Sequence, residues 1–337
     1  MKLTRLGDGP IIGPETPVRG VGPPIGANIQ GPSLIRTPAW IDNPLGAYSL
    51  YFADHKGGYI RLAHADTVTG PWTVFAPGSL QLTDSTLITE PPEATPEQLS
   101  ELEALYTKHL GATKASVVLV DATTPHIASP DVHIDTEHQR VVMYFHGLAR
   151  LGVQLTKVAT STDGINFTGQ PEVLGRPYMR AFEHAGMTYA LAMPGVMYRS
   201  ADGLTGFEEG PSLFAPEMRH SAVVVRDRTL HVFWTRVGDA PESIMRTTID
   251  LDGDWSTWTA SDSEIVLQPE HDWEGAGAPL EPSERSVAHG RVNQLRDPAV
   301  FDDVDGRSYL LYAVAGESGI AVAEIDWEER SARRRHH

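Results

Sequence analysis

One gapless self-match constrains this chain more than any other feature. Residues 36–63 (RTPAWIDNPLGAYSLYFADHKGGYIRLA) align with residues 296–323 (RDPAVFDDVDGRSYLLYAVAGESGIAVA) at a constant shift of 260. Each copy reads as a short apolar strand, a tight turn, a second apolar strand, a glycine-containing loop and a third alternating strand, which is an antiparallel meander. Looser copies begin at Ser129 (SPDVHIDTEHQRVVMYFHG), Arg176 (RPYMRAFEHAGMTYALAMPG) and Arg219 (RHSAVVVRDRTLHVFWTRVG). Four of the five units close on a polar turn that runs into an aromatic: ADTVTGPW, STDGINF, SADGLTGF and DLDGDW. A small sheet cannot bury both faces alone, so a 40–50-residue repeat with four-strand content implies blades packed around an axis. The fold class expected is all-β, a five-bladed β-propeller over residues 1–330, with 331–337 a tail. The fifth unit ends after its third strand near Asp326, so Lys2–Gly7 is expected to supply the missing outer strand and close the ring.

Two insertions interrupt the repeat. Residues 80–128 carry one helical pattern from Pro96 to Leu110, with Thr95 and Gln98 placed for a capping box and Leu99, Leu102, Tyr106 and Leu110 on one face. Residues 268–295 are rich in glycine, proline and charge and read as a long loop, a feature compact domains keep mainly for function.

Composition excludes several classes. The formal charge is −17 and no basic stripe occurs outside Arg333–Arg335, which argues against nucleic acid and anionic membranes as partners. There is no cysteine, so disulfides, thiolate catalysis and sulfur-ligated zinc are out. No apolar run reaches 18 residues and no basic-then-apolar leader opens the chain, from which a cytoplasmic, non-membrane protein is expected.

Strand direction locates a site. In a meander the start of each inner strand and the end of each second strand share a rim. The start positions read as Arg36/Thr37, Ser129/Asp131, Arg176/Tyr178/Arg180, Arg219/His220 and Arg296/Asp297; the loop positions as Asp54/His55/Lys56, His146, Met193/Pro194, Arg236/Asp239 and Glu317. Converging arginine, histidine and carboxylate at one funnel suit a polar ligand. The competing reading makes Arg296–Asp297 an ion pair between blades, His220 a core histidine and Asp54-His55-Lys56 a plain turn.

The segments GPSLIRTP, YSLYFADHKGGYIRLAHADTVTGPW, ASPDVHID and LRDPAVFDDVDGRSYLLYA resemble glycoside hydrolase family 43 and its wider five-bladed furanosidase superfamily, over roughly residues 28–326. The resemblance implies hydrolysis of arabinose-, xylose- or galactose-containing saccharides by a general base, a general acid and a third, tuning carboxylate. Asp131 falls at the tuning position. Thr37 stands where the base would be and Gly175 where the acid would be, so two of the three carboxylates are not in place. Asp297, Glu274 and Asp54 are the carboxylates available to replace them, and His220 is expected to act as acid or base near neutral pH, or as a ligand to a central cation. The expected catalytic set is therefore Asp131 facing Asp297, with Glu274 or His220 completing proton transfer. Arg36, Asp54, His55, Lys56, His146, Tyr178, Arg180, Arg236, Trp273 and Arg296 are expected to bind the carbohydrate. A calcium ion near His220 is a further expectation, drawn from the relatives; no organic cofactor is implied. A non-catalytic sugar-binding propeller, or a lyase or metal-dependent hydrolase on the same scaffold, remain the alternatives.

Overall fold

A computed structural model describes residues 1–110 and 119–327; the tail expected at 331–337 lies outside the described residues. Five antiparallel sheets are present. From the axis outward, the first blade runs Gln30–Arg36, Tyr48–Ala53, Arg61–Ala65 and Thr73–Phe75, with Val18–Arg19 added in parallel at the rim. The second is Ile127–Asp135, Arg140–Arg150, Val153–Ser161 and Thr168–Gly169. The third is Arg180–His184, Met187–Ala192, Val196–Ser200 and Glu208–Ser212. The fourth is Met218–Arg226, Thr229–Arg236, Ile244–Asp250 and Glu264–Leu267. The fifth is Arg296–Asp302, Ser308–Ala313 and Ile320–Asp326, and its outer strand is Lys2–Arg5, paired antiparallel from Lys2↔Asp326 to Arg5↔Ala323. The ring therefore closes as the sequence implies. The helix Pro96–Leu110 is also present, and its capping box forms: Gln98 N–H donates to Thr95 Oγ1 at 3.2 Å and Thr95 N–H to Gln98 Oε1 at 2.9 Å.

Both faces of each sheet are covered because each gap between blades holds its own apolar cluster. Leu50, Phe52, Leu311 and Val322 fill the gap between the fifth and first blades; Tyr51, Leu62, Met143 and Phe145 fill the next. Leu191, Val232 and Trp234 pack between the third and fourth blades, with equivalent clusters in the remaining gaps. The recurring aromatic turns are the staples between blades. Tyr51 of the first blade donates to Gly164 O of the second blade's turn at 2.6 Å and meets Phe167 edge-on, ring centroids 5.8 Å apart. One blade on, Tyr144 donates to Gly203 O at 2.7 Å and meets Phe207 at 6.3 Å. Tyr189 repeats the ring contact with Trp255 at 5.8 Å. In the turns of the second and third blades the serine and aspartate are consumed locally: Asp163 accepts from Ile165 N–H and Asn166 N–H, and Asp202 from Leu204 N–H and Thr205 N–H.

One register expectation is corrected here, with consequences for the site. The second strands keep the 260 shift, Tyr48 to Ser308, but the inner strands run from Gln30 to Arg296, a shift of 266. The first hairpin spans residues 37–47 where the fifth spans 303–307, so the gapless match slides off at the inner strand. Arg36 and Thr37 consequently lie at the far end of their strand.

Candidate active site

The funnel is built on five equivalent backbone kinks. Near the start of each inner segment one residue adopts a left-handed conformation: Gly31 (φ 62°), Ser129 (51°), Tyr178 (65°), His220 (48°) and Asp297 (46°). In four blades the strand pairing shifts at this point, between Gln30 and Ser33, Ala128 and Asp131, Arg219 and Ala222, and Arg296 and Ala299. A bulge of this kind re-aims a side chain out of the ladder. A non-glycine residue at positive φ is held there by its surroundings, and such strain collects at functional sites. Where the first blade keeps glycine, a Cβ would sit 3.1 Å from Ser129 Cα, so close packing of two blades accounts for Gly31.

These kinks surround a cavity of about 410 Å³. Tyr178, His220 and Asp297 line it together with His146, Ser129, Gln30, His55, Arg219 and Glu317, and the two insertions contribute His126, Asp121, Arg285 and Ser286. Tyr178 OH donates to Asp297 Oδ1 at 2.6 Å, and His220 Nε2 stands 3.9 Å from the same oxygen. The other carboxyl oxygen, Oδ2, is buried without a hydrogen-bond partner among the described residues. Asp297 is 1% exposed, and burial, reinforced by the charge on Glu317, raises its pKa to about 6 against the pull of Tyr178, Arg296 and Arg180. The Tyr178 ring lies between His146 (5.8 Å) and His220 (5.5 Å). Burial, then the neighbouring cationic side chains, hold His220 and His146 well below the usual histidine range; burial and Lys56 lower His126 to about 3. The cavity thus presents neutral imidazoles beside a carboxyl group that titrates near neutrality.

A buried chain of alternating charge backs this floor. Arg219 grips Glu242 with two hydrogen bonds, Nε to Oε1 at 2.9 Å and Nη2 to Oε2 at 2.5 Å. Arg296 stands 3.3 Å from Glu242 and donates to Glu317 Oε1 at 2.8 Å. Glu317 Oε2 accepts from Asn28 at 2.7 Å and lies 3.5 Å from His55 Nδ1. Burial opposes ionisation of Glu317, yet His55, Arg296 and Asn28 together hold it well below the carboxylate range. All four charged residues of the chain are at most 2% exposed.

Of the residues expected from sequence, His55, His146, Tyr178, His220 and Asp297 meet in the cavity, and Arg296 stands directly behind it. Lys56 reaches its edge through an ion pair with Asp121 at 3.4 Å. Asp54 instead pairs with Arg61 at 3.1 Å, and Arg236 pairs with Asp239 near the surface. Arg36 is placed elsewhere by the register slip, against Asp303 (2.8 Å) and Tyr48 (2.6 Å), while the Thr37 hydroxyl donates to Gly46 O. Asp131 does not face Asp297. It accepts from Ala181 N–H at 2.7 Å, pairs with His133 at 2.8 Å and lines a separate cavity of about 290 Å³. Burial resists its ionisation, but His133 and Arg180 hold its pKa low. Arg180 lines that second cavity too, with its guanidinium over the Tyr178 ring at 4.2 Å and bonded to Ser221 O and Pro130 O.

The long loop is used differently from the expectation. Glu274 is fully buried away from the cavity, accepting from Arg5 (2.8 Å), Tyr312 OH (3.0 Å) and the Glu270 and His271 N–H groups. Trp273 stacks on His271 with centroids 5.4 Å apart and lines a neighbouring groove. The loop reaches the funnel through Arg285 and Ser286, and Ser286 Oγ donates to Asp121 Oδ2 of the other insertion. At the position expected for calcium, His220 Nδ1 faces Thr235 Oγ1 at 3.3 Å; among the described residues no group of three His, Asp or Glu side chains is placed to hold a metal ion. Sequence reasoning missed Gln30, His126, Glu242, Arg285 and Ser286, and also Gln154, which lines the same cavity. Only Gln30 carried a signal, because Gly31-Pro32 repeats the small-residue-proline step of Ser129-Pro130 and Asp297-Pro298.

No family model matches the chain. Among solved structures, a thermostable family-43 glycoside hydrolase superposes with a TM-score of 0.55 at 12% identity, covering 92% of this chain and 94% of that one. An N-acetylgalactosamine deacetylase from F. plautii, in complex with blood group B trisaccharide, gives 0.55 at 10% identity and covers 96% of each chain. Likeness at such identities is a likeness of fold: the family-43 type of five-bladed propeller. In sequence the match is far stronger. Uncharacterized protein R118 of Acanthamoeba polyphaga mimivirus is 34% identical over 331 residues, covering 90% of this chain and 85% of that protein, and the chain belongs to the same family as R118.

Proposed function

We propose that the protein is a glycoside-hydrolase-like enzyme whose proton transfers run through Asp297 and His220 at the funnel floor. The observation that carries this reading is the Tyr178–Asp297–His220 cluster. A carboxyl group with a pKa of about 6 can hold a proton at working pH, and a neutral imidazole 3.9 Å away can accept one. Asp297 is then the general acid for the leaving oxygen, and His220, at 3.9 Å too near it to activate a water on the opposite face of the sugar, exchanges the proton with it. The fold likeness to a family-43 glycoside hydrolase supports carbohydrate as the substrate.

The test is hydrolysis of aryl arabinofuranosides, xylopyranosides and galactopyranosides and of the corresponding oligosaccharides. Asp297→Asn and His220→Asn should each lose at least a hundredfold in turnover while keeping the circular-dichroism spectrum of the parent, and the parent rate should fall as pH rises through about 6. Variants with parental rates would remove both residues from the chemistry. A second reading, a sugar-binding propeller without turnover, is favoured by one observation: apart from Asp297, the cavity carboxylates are tied up, Glu317 by Arg296 and Asp121 by Lys56. Calorimetric sugar binding with no hydrolysis of any of these substrates would establish it instead.

A further inference from the structure

We infer that the ligand of this cavity is an acidic sugar whose anionic group is held by Arg285, an assignment that rests on the carbohydrate reading above. Arg219 and Arg296 are answered by Glu242 and Glu317. Lys56 is answered by Asp121. Arg180 lies within electrostatic reach of Asp131 and Asp297. Arg285 lines the same cavity, yet its one side-chain hydrogen bond runs to a backbone carbonyl, Pro216 O at 3.0 Å, and no carboxylate of the described residues lies within ion-pair distance of it. Burial and the charge of Arg219 weigh against its protonated form, while Glu217 favours it from beyond ion-pair distance. Arg285 is exposed at the cavity wall, so its guanidinium is open to an incoming anion.

A guanidinium presents a planar fork of donors that fits a carboxylate with two parallel hydrogen bonds and also accepts a sulfate oxygen pair. Ser286, next in the chain, holds the loop over the cavity by its bond to Asp121. The anion would therefore enter on the loop side, with the neutral part of the sugar directed toward Tyr178 and Asp297. The shared chemistry is a monosaccharide unit carrying one negative group, either a uronate carboxylate or a sulfate ester.

Calorimetry on the full chain tests this with D-galacturonate, D-galactose 6-sulfate and D-galactose, and with the matching glucose series. At least one acidic sugar should bind ten- to a hundredfold more tightly than its neutral parent, with the advantage shrinking as salt is raised. Arg285→Met should bring the acidic sugar to within about threefold of the neutral one, and Arg285→Lys should restore part of the difference. A uronate preference identifies the carboxylate, and a sulfate preference the ester. Equal binding of acidic and neutral sugars, binding of neither series, or an unchanged ratio in Arg285→Met overturns the assignment. Acid selectivity that survives while Asp297→Asn keeps full turnover leaves Arg285 in place and refutes the catalytic reading alone.

Discussion

Asp297→Asn should make the protein more stable above neutrality while it removes the proton donor. In the folded chain this carboxyl titrates at about 6, against 3.8 for the free side chain. The unfolded chain therefore ionises it first, and between pH 4 and 6 folding becomes progressively penalised by a charge the native state cannot accommodate. A displacement of roughly two pKa units corresponds to about 3 kcal/mol, fully expressed above pH 6 and absent below pH 4. Solvent screening does not reduce it, since Asp297 is 1% exposed. Asparagine keeps the shape, accepts the Tyr178 hydroxyl through its carbonyl oxygen, and tolerates φ 46° as well as aspartate does. The amide nitrogen inherits the unpartnered position of Oδ2, an offset that does not vary with pH. Urea unfolding of parent and variant at pH 4.5, 5.5 and 7.5 isolates the ionisation: the stability difference should shift toward the variant by about 2 kcal/mol between the first and last pH. A difference independent of pH, or one that moves toward the parent as pH rises, would refute burial as the cause of the raised pKa.

Three further outcomes follow from the same geometry. Tyr51→Phe deletes a blade-to-blade hydrogen bond and leaves Gly164 O unsatisfied against a buried ring, so denaturant unfolding should register a loss of about 1–3 kcal/mol. Glu242→Gln leaves Arg219 and Arg296 buried without their shared counter-charge and should cost about 3–5 kcal/mol, most of it visible as a lower melting temperature. Glu274→Gln, by contrast, should lower stability through the lost Arg5 ion pair without altering the pH profile of turnover, which a general acid in that position would change.

The blade count, the ring closure and the staple turns could be read from sequence because each depends on local pattern. Alternation, turn chemistry and the aromatic after the turn are written within ten or so residues and are repeated. The register of the first inner strand could not be read by a gapless comparison, since hairpin length is free to vary on a surface rim while second strands, buried on both faces, cannot slip. Position in the funnel is set instead by the left-handed kink, and its signature is weak: Gly31-Pro32, Ser129-Pro130 and Asp297-Pro298 share it, whereas Tyr178 and His220 do not. Glu242 gave no signal, because a buried counter-ion is recognisable only by partners such as Arg296 that lie 54 positions away in the chain. The long loop misled for a physical reason. Trp273 and Glu274 drew attention as an aromatic beside an acid, but polar side chains in aperiodic segments serve first to satisfy the segment's own backbone, and Glu274 does so for Glu270 and His271. The loop residue that brings a charge without an ion pair to the cavity is Arg285, whose text looks ordinary. What marks a ligand site here are polar groups at the cavity left without a partner or a counter-charge, Asp297 Oδ2 and Arg285 among them, and these come together only once the chain has folded.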